Sequence, residues 1–212
     1  MSYIIEDYST IKSLFDDPKF KNTNVYDALM KFKDDGGTIL GSGAFGIVLT
    51  NKNWNFVLKI FIKDDSYLRF VRFALKHNRV SYPKFFDIPR KIKVNLKSKV
   101  GEPISQLYLV KMEKLNPITK NDFDNIMFYF RYKTKNSNFS SPPKIYSELA
   151  RIEAKYKSIK HFNDDFIFLM RNIKNIKKST SMDLHEDNVM RRTNGELVII
   201  DPFYDHSSAE YF

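Results

Sequence analysis

The sequence predicts an α+β chain of two lobes: a small antiparallel sheet with one helix, then a mostly helical part closed by a β-hairpin. Three observations predict it. Five of only 7 glycines fall between positions 36 and 46, flanked by apolar and β-branched runs, which reads as strand, turn, strand. Phe162, Phe166, Leu169, Met170 and Ile173 form an apolar stripe at helical spacing, most simply core. Asn194-Gly195 stands between apolar runs, a strong local hairpin signal. The chain has 212 residues, 42% of them apolar, with 19 Phe, enough to bury a core and too apolar for disorder.

The elements follow in order. A helix is expected over 25–33, after Asn24 and before Gly36-Gly37, packed on the first lobe. Strands are expected at about 38–50 (with the glycine turn inside), 54–62, 91–97 and 106–112, with a helix at about 65–79 carrying Tyr67, Phe70, Val71, Ala74 and Leu75. Pro117 marks the exit from the first lobe. Residues 134–143, rich in Lys, Asn and Ser and ending Pro142-Pro143, read as a loop. Helices are expected at about 119–132, 144–158 and 162–178. No internal repeat is visible.

Composition excludes several classes. Without Cys there is no disulfide scaffold, thiolate metal site or thiolate nucleophile. No apolar run reaches the roughly 18 residues of a membrane span. Met1 to Asp7 lack the basic and apolar regions of a secretory signal, so a soluble cytoplasmic protein is expected. The charge of +10 is diffuse. Arg90 to Lys93 and Lys174 to Lys178 are short basic clusters, read either as solvated faces or as a surface for a phosphate-rich or acidic partner. No motif supports specific nucleic-acid readout.

Four groups carry chemistry. Gly41-Ser42-Gly43-Ala44-Phe45-Gly46-Ile47-Val48 is a triple-glycine hairpin without the helix that a dinucleotide fold would open there. It fits a hairpin that donates main-chain N–H groups to phosphates, or a purely structural turn. Lys59 lies inside the apolar run Phe56 to Ile62. A desolvated ammonium needs a partner, so Lys59 is read as aimed at phosphates, with snorkelling from an edge strand as the alternative. A two-residue turn at Asn194-Gly195 would place Asn188 opposite Asp201. These two oxygen donors suit Mg²⁺, which takes few protein ligands. Asp183, five residues before Asn188, is a second carboxylate able to orient or deprotonate a hydroxyl. A polar-capped surface hairpin is the alternative.

Together these residues resemble the protein-kinase motif set. Gly41 to Val48 is similar to the glycine-rich loop and Val57-Leu58-Lys59 to the lysine motif of the third strand. Asp183-Leu184-x-x-x-Asn188 is similar to the catalytic loop, and Asp201-Pro202-Phe203 stands where the metal-binding Asp-Phe-Gly would be. The resemblance spans about residues 36–205. It implies a bilobal protein kinase-like fold with a reduced C-lobe ending after the metal-binding Asp: an N-terminal extension and nucleotide-binding lobe over 1–115, and a minimal second lobe over 116–212. It implies ATP and Mg²⁺ as cofactors, with Gly41 to Gly46, Val48, Lys59 and the main chains of Glu113 and Leu115 meeting the nucleotide. Asn188 and Asp201 would hold the metal, Asp183 would be the base, and His185 would either donate to the γ-phosphate or pack the loop.

Within that superfamily the short chain and its Met182-Asp183-Leu184-His185 and Ile200-Asp201-Pro202 segments look most like the short protein kinases of podovirus-type bacteriophages. That implies action in the host bacterial cytoplasm on host protein Ser, Thr or Tyr hydroxyls, including transcription and defence proteins, with autophosphorylation. Asp183-Leu184-His185-x-x-Asn188 is also similar to aminoglycoside and choline phosphotransferases, which implies a small-molecule acceptor instead. A pseudokinase that binds and blocks a host protein is the third reading.

The chain departs from the kinase pattern in four places. Ser181-Met182 replaces His-Arg. Pro202-Phe203 replaces Phe-Gly, and the proline should hinder a flip of the segment. No Glu lies between Lys59 and Glu102. Asp64 or Asp65 is read as the substitute partner of Lys59, with Asp65-Ser66 as a helix N-cap the alternative. The chain ends 11 residues after Asp201, so the helices that hold a protein substrate are expected to be absent, by family type or by truncation.

Overall fold

A computed structural model describes residues 8–43, 46–62, 65–98, 100–135, 143–172 and 180–205. These divide into two compact units. The first holds the described residues through Leu75, Lys84–Lys114 and Asp205; the second holds Lys76–Pro83 and the described residues of Leu115–Tyr204.

The first unit begins with helix α1 (Tyr8–Asp16), which sequence reading did not anticipate. Its Tyr8, Ile11 and Phe15 are buried on one stripe, and it ends before Asp17-Pro18, where proline disfavours a helical predecessor. Helix α2 (Val25–Asp34) is capped by Asn24, whose side chain accepts the Tyr26 N–H at 2.9 Å. That cap stabilises the helix by about 1 kcal/mol. α2 buries Val25, Ala28, Leu29 and Phe32. A five-stranded antiparallel sheet follows: β1 (Gly37–Gly43), β2 (Gly46–Asn51), β3 (Phe56–Phe61), β4 (Arg90–Lys97) and β5 (Pro103–Glu113), in the order β1-β2-β3-β5-β4. Helix α3 (Asp65–His77) connects β3 to β4.

Alternation along a strand sends neighbouring side chains to opposite faces. Leu58 and Ile60 of β3 join Ile47, Leu49, Leu107 and Leu109 in one core with the apolar stripes of α1 and α2. Phe61 lies on the other face, edge-on to Tyr67 of α3. Both faces of β3 are therefore covered, and this explains why its sequence lacks a polar side. Asp65 is the first residue of α3 rather than its cap; Asp64 lies outside the described residues. A carboxylate in the first turn is still favoured by the helix dipole.

The second unit packs α4 (Lys120–Lys135), α5 (Pro143–Lys155) and α6 (Ile159–Asn172) against a small sheet of β6 (Asn116–Pro117), β8 (Val189–Arg191) and β9 (Leu197–Ile199). β7 (Thr180–Met182) pairs with β10 (Phe203–Asp205). Phe162 and Phe166 of α6 share a core with Ile126, Ile152, Val189, Leu197 and Ile199. Leu169 is also buried, but Met170 is 43% exposed, one step round the helix from the stripe; Ile173 lies outside the described residues. The loop expected over 134–143 starts later, because α4 runs on through Lys135; residues 136–142 lie outside the described residues. Among the described residues no helix is long and apolar enough to cross a membrane.

Asp122 ties α4 to α5. Burial raises its carboxyl, but hydrogen bonds from Lys155, Tyr156 and Thr119 outweigh burial and hold it well below the usual carboxylate range. A depressed pKa contributes stability that is present above the unfolded value, about 3.9, and is lost as pH falls below it. Asp122→Asn is therefore expected to lower stability by about 2 kcal/mol at pH 7. The gap to the parent should begin to narrow as pH falls below about 4 and close only as pH approaches the depressed folded value, as urea unfolding across that range would read.

Candidate active site

The glycine-rich hairpin is formed by β1 and β2, and its last pair is Gly43 with Gly46. Ala44 and Phe45 lie outside the described residues. Gly41 and Ser42 are exposed, and a Cβ at Gly41 would meet nothing within 4 Å. Gly46 differs. A Cβ there would come 2.8 Å from the Ile60 carbonyl oxygen, 3.1 Å from Phe61 Cβ and 3.3 Å from Lys59 Cε. Gly46 is thus the residue that lets β2 approach the lysine strand and bed the Lys59 stem.

Lys59 is half-buried, flanked across the sheet by Val48 of β2 and Val110 of β5. Its ammonium lies 3.6 Å from the centroid of the Tyr67 ring. Sequence reading did not anticipate the tyrosine. Tyr67 is the first aromatic of the helix after the lysine strand, but its spacing alone marks it only as core.

At the end of β5, Glu113 donates its main-chain N–H to Lys84 O at 2.9 Å, and its carboxylate accepts the Lys84 N–H at 2.8 Å. Of the main-chain contacts expected with a nucleotide, the Glu113 N–H is committed within the protein. Leu115, half-buried, is the first residue of the second unit's longer segment.

The remaining polar residues meet within the second unit. Asn188 is 8% exposed, and its amide nitrogen donates to Asp183 O at 2.7 Å and approaches Asp183 Oδ2 at 3.3 Å. The same nitrogen lies 2.9 Å from His185 Nε2. With Asn188 as donor, Nε2 accepts and the ring proton sits on Nδ1. His185 Nδ1 lies 3.7 Å from Asp187 and Nε2 lies 3.6 Å from Asp183. In this arrangement His185 packs the loop.

Asp183 donates its main-chain N–H to Pro202 O at 2.9 Å, so the residue after Asp201 is bonded to the Asp183 loop. The hairpin register differs from the expected one. Val189 pairs with Ile199 and Arg191 with Leu197, and the Ile200 N–H donates to Asn188 O at 3.0 Å. Asn188 therefore lies opposite Ile200, and Asp201 is one residue beyond. The reason is the turn. Arg192 N–H bonds Glu196 O, and Gly195 N–H bonds Arg192 O, leaving three residues in the loop with Gly195 at φ +88°. One left-handed glycine closes a three-residue loop, whereas the two-residue type I′ turn that Asn-Gly favours needs two such residues.

Residues not anticipated as important hold the hairpin from behind. Ser158 Oγ accepts the Leu197 N–H at 2.9 Å, and Ser81 O accepts the Ile199 N–H at 2.9 Å. Buried Asp165 fixes that Ser81 segment by accepting Arg79 at 2.8 Å and the Ser81 N–H at 3.0 Å. Arg192 donates to Tyr82 O at 2.9 Å.

Asn188 and Asp201 fit Mg²⁺ in donor chemistry. The Asn188 nitrogen faces Asp183 and His185, which turns its amide oxygen the other way, and Asp201 adds a carboxylate nearby in the chain. Among the described residues no group of three or more acidic or His side chains is arranged to hold a metal ion, so an ion taken here would draw most of its ligands from elsewhere, as Mg²⁺ does with substrate phosphates.

No protein-family model and no curated protein matches the chain. Among solved structures it is similar to the kinase domain of Mycobacterium tuberculosis PknI, with a TM-score of 0.38 and 14% identity over 82% of this chain and 60% of that one. It is also similar to a spectinomycin phosphotransferase in complex with ADP and spectinomycin, with a TM-score of 0.35 and 11% identity over 78% of this chain and 62% of that one. The chain thus spans about three-fifths of each of those structures.

Gly46 and Gly41 give a paired test. Gly46→Ala is expected to cost about 1–3 kcal/mol through overpacking against backbone. Gly41→Ala should stay within about 0.5 kcal/mol of the parent. Urea unfolding of the two variants side by side reads the difference.

Proposed function

We infer that the chain is an ATP- and Mg²⁺-dependent phosphotransferase that acts on protein hydroxyls. The observation that carries this reading is the Asn188 amide holding the Asp183 loop beside the hairpin that leads to Asp201. A carboxylate next to a candidate pair of metal-ligating oxygens is what transfer to a hydroxyl needs. Lys59, ordered on β3 against the glycine hairpin, supports it.

Mg–ATP supplies the phosphoryl group and the cation that offsets its charge. The chain's residues position and neutralise. Gly41 to Gly46 and Val48 are the nucleotide-facing hairpin, with Glu113 O and Leu115 for the base. Lys59 binds phosphate oxygens. Asn188 and Asp201 would hold the metal. Asp183 accepts the proton of the acceptor hydroxyl as its oxygen bonds to the γ-phosphorus and the bond to the ADP oxygen breaks. His185 orients the Asp183 loop.

The acceptor in this reading is a Ser or Thr of a bacterial host protein, with the chain acting in the host cytoplasm as a phage kinase and also on itself. The Asp183-Leu184-His185 order favours, as second reading, a small-molecule hydroxyl.

Incubation with γ-labelled ATP and bacterial lysate is expected to give Mg²⁺-dependent labelled protein bands. Asp183→Asn should reduce labelling by about 10²-fold or more while nucleotide affinity changes little. Full transfer by Asp183→Asn would overturn the role of Asp183. ATP consumption with label only in metabolites would move the acceptor to a small molecule. Nucleotide binding with no transfer would make the chain a binding module.

A further inference from the structure

We propose that the open half of strand β4 takes an extended acidic segment of a partner protein as a sixth strand of the sheet. This surface belongs to the first unit and needs nothing from the phosphotransfer reading.

β4 is an edge strand, bonded within the sheet to β5 alone. The chain covers the second half of its outer edge itself. The Asn22 N–H donates to Asn95 O at 2.8 Å and the Lys97 N–H donates to Thr23 O at 2.7 Å, and Asn24 bridges Lys97 in parallel. A register shift between Lys93 and Leu96 separates that half from the first. Among the described residues no main chain pairs with the outer edge over residues 90–93. An uncovered edge offers main-chain N–H and C=O groups to an incoming strand.

The side chains along this edge are basic. Ile92, Val94 and Leu96 pack into the core of the first unit, which turns Lys91 and Lys93 to the other face, where both are exposed. Lys91 stands opposite Tyr108 and Lys93 opposite Gln106, so their partners across the sheet carry no charge. Exposed cations elsewhere lie beside carboxylates: Lys12 with Asp16, Lys31 with Asp35, Lys120 with Asp124 and Arg151 with Glu148. Among the described residues Lys91 and Lys93 have no such carboxylate. Tyr108 stacks on Phe61, which meets Tyr67 of α3, so the two lysines are on the α3 side of the sheet. There α3 adds Arg69 and Arg72, both exposed. Lysines on an edge work against pairing with a second copy of the same strand. They attract a strand that carries carboxylates at alternate positions, because charges directly opposite across a sheet interact.

The start of the edge adds apolar contact. The Phe86 N–H donates to Lys111 O at 3.0 Å and Phe85 bridges Met112, so this segment runs along β5 in line with β4. The Tyr8 hydroxyl donates to Asp87 and holds the bend that follows. Phe86 is 56% exposed and Ile88 69%. Two apolar side chains on an anchored bend, at the end of a basic edge, suit a polypeptide whose acidic stretch is flanked by apolar residues. A nucleic-acid backbone would meet the lysines and leave the main-chain edge and both apolar groups unused.

Titration of the ¹⁵N-labelled full chain with a peptide alternating Glu and Val, flanked by Leu-Leu at both ends, reads the contact directly. Amide shifts are expected over residues 90–94 and at Phe86 and Ile88, with slower hydrogen exchange on the strand. Lys91→Glu combined with Lys93→Glu changes two exposed side chains and should weaken binding about tenfold or more. The same peptide methylated at every main-chain nitrogen keeps its charge but donates nothing to the edge, and it should also bind about tenfold more weakly or worse. No shift over residues 90–94 at millimolar peptide would overturn the proposal, even if the double variant failed to fold. So would equal binding by the methylated peptide or by a folded double variant. A single-stranded oligonucleotide that shifts the same amides and binds more tightly than the peptide at physiological salt would overturn it too, and would give the face to nucleic acid.

Discussion

The side-chain amide of Asn188 is the interaction on which the polar loop of the second unit depends. It is buried, and it donates to Asp183 O while facing Asp183 Oδ2 and His185 Nε2. A buried donor left without acceptors costs about 1–3 kcal/mol, so the loop must bring its carbonyl and ring nitrogen to the amide. The main chain of the same residue accepts from Ile200. One asparagine therefore sets the shape of the loop and ties it to the strand that leads to Asp201. Ser158 Oγ and the Ser81 carbonyl hold that strand from the other side, with Asp165 fixing the Ser81 segment, through bonds that do not depend on any ligand. A site on such supports keeps its geometry before anything binds.

The first unit meets a different constraint. Its central strand is covered on both faces, so every side chain of β3 is enclosed to some degree. A lysine in such a strand is tolerated where its stem has apolar walls and its head has a compensating field. Gly46, Val48 and Val110 form the walls, and Tyr67 presents its ring face to the head. The concentration of glycine in the preceding hairpin acquires a specific meaning at Gly46, where backbone of β3 leaves no room for a Cβ. At Gly41 the space is open, and packing of the folded chain gives glycine no advantage there.

Much of this was legible from residue types in order. Glycines between β-branched runs marked the β1–β2 hairpin. An apolar stripe with Phe162 and Phe166 marked a core helix, and Asn194-Gly195 marked the last hairpin. What escaped the sequence depended on contacts that local pattern does not encode. The hairpin register moved by one because only Gly195 takes the left-handed conformation, and residue types alone do not separate a two-residue from a three-residue loop. Tyr67 looked like core because it is core; only the fold brings its face to Lys59. Arg79 and Asp165 lie 86 positions apart, beyond any periodicity argument. Helix α1 was passed over although Tyr8, Ile11 and Phe15 carry its stripe, because nine residues make a short amphipathic signal and proline soon follows.

The account reduces to a claim about Asn188 and Asp201: together they make ATP binding depend on a divalent cation. Calorimetric titration of the full chain with ATP, with Mg²⁺ and then with chelator, tests it most directly. The account predicts binding with Mg²⁺ that weakens by tenfold or more on chelation, and no Mg²⁺ dependence in Asp201→Asn. Equal ATP affinity with and without Mg²⁺ in the parent, or Mg²⁺ dependence that survives in Asp201→Asn, would contradict it.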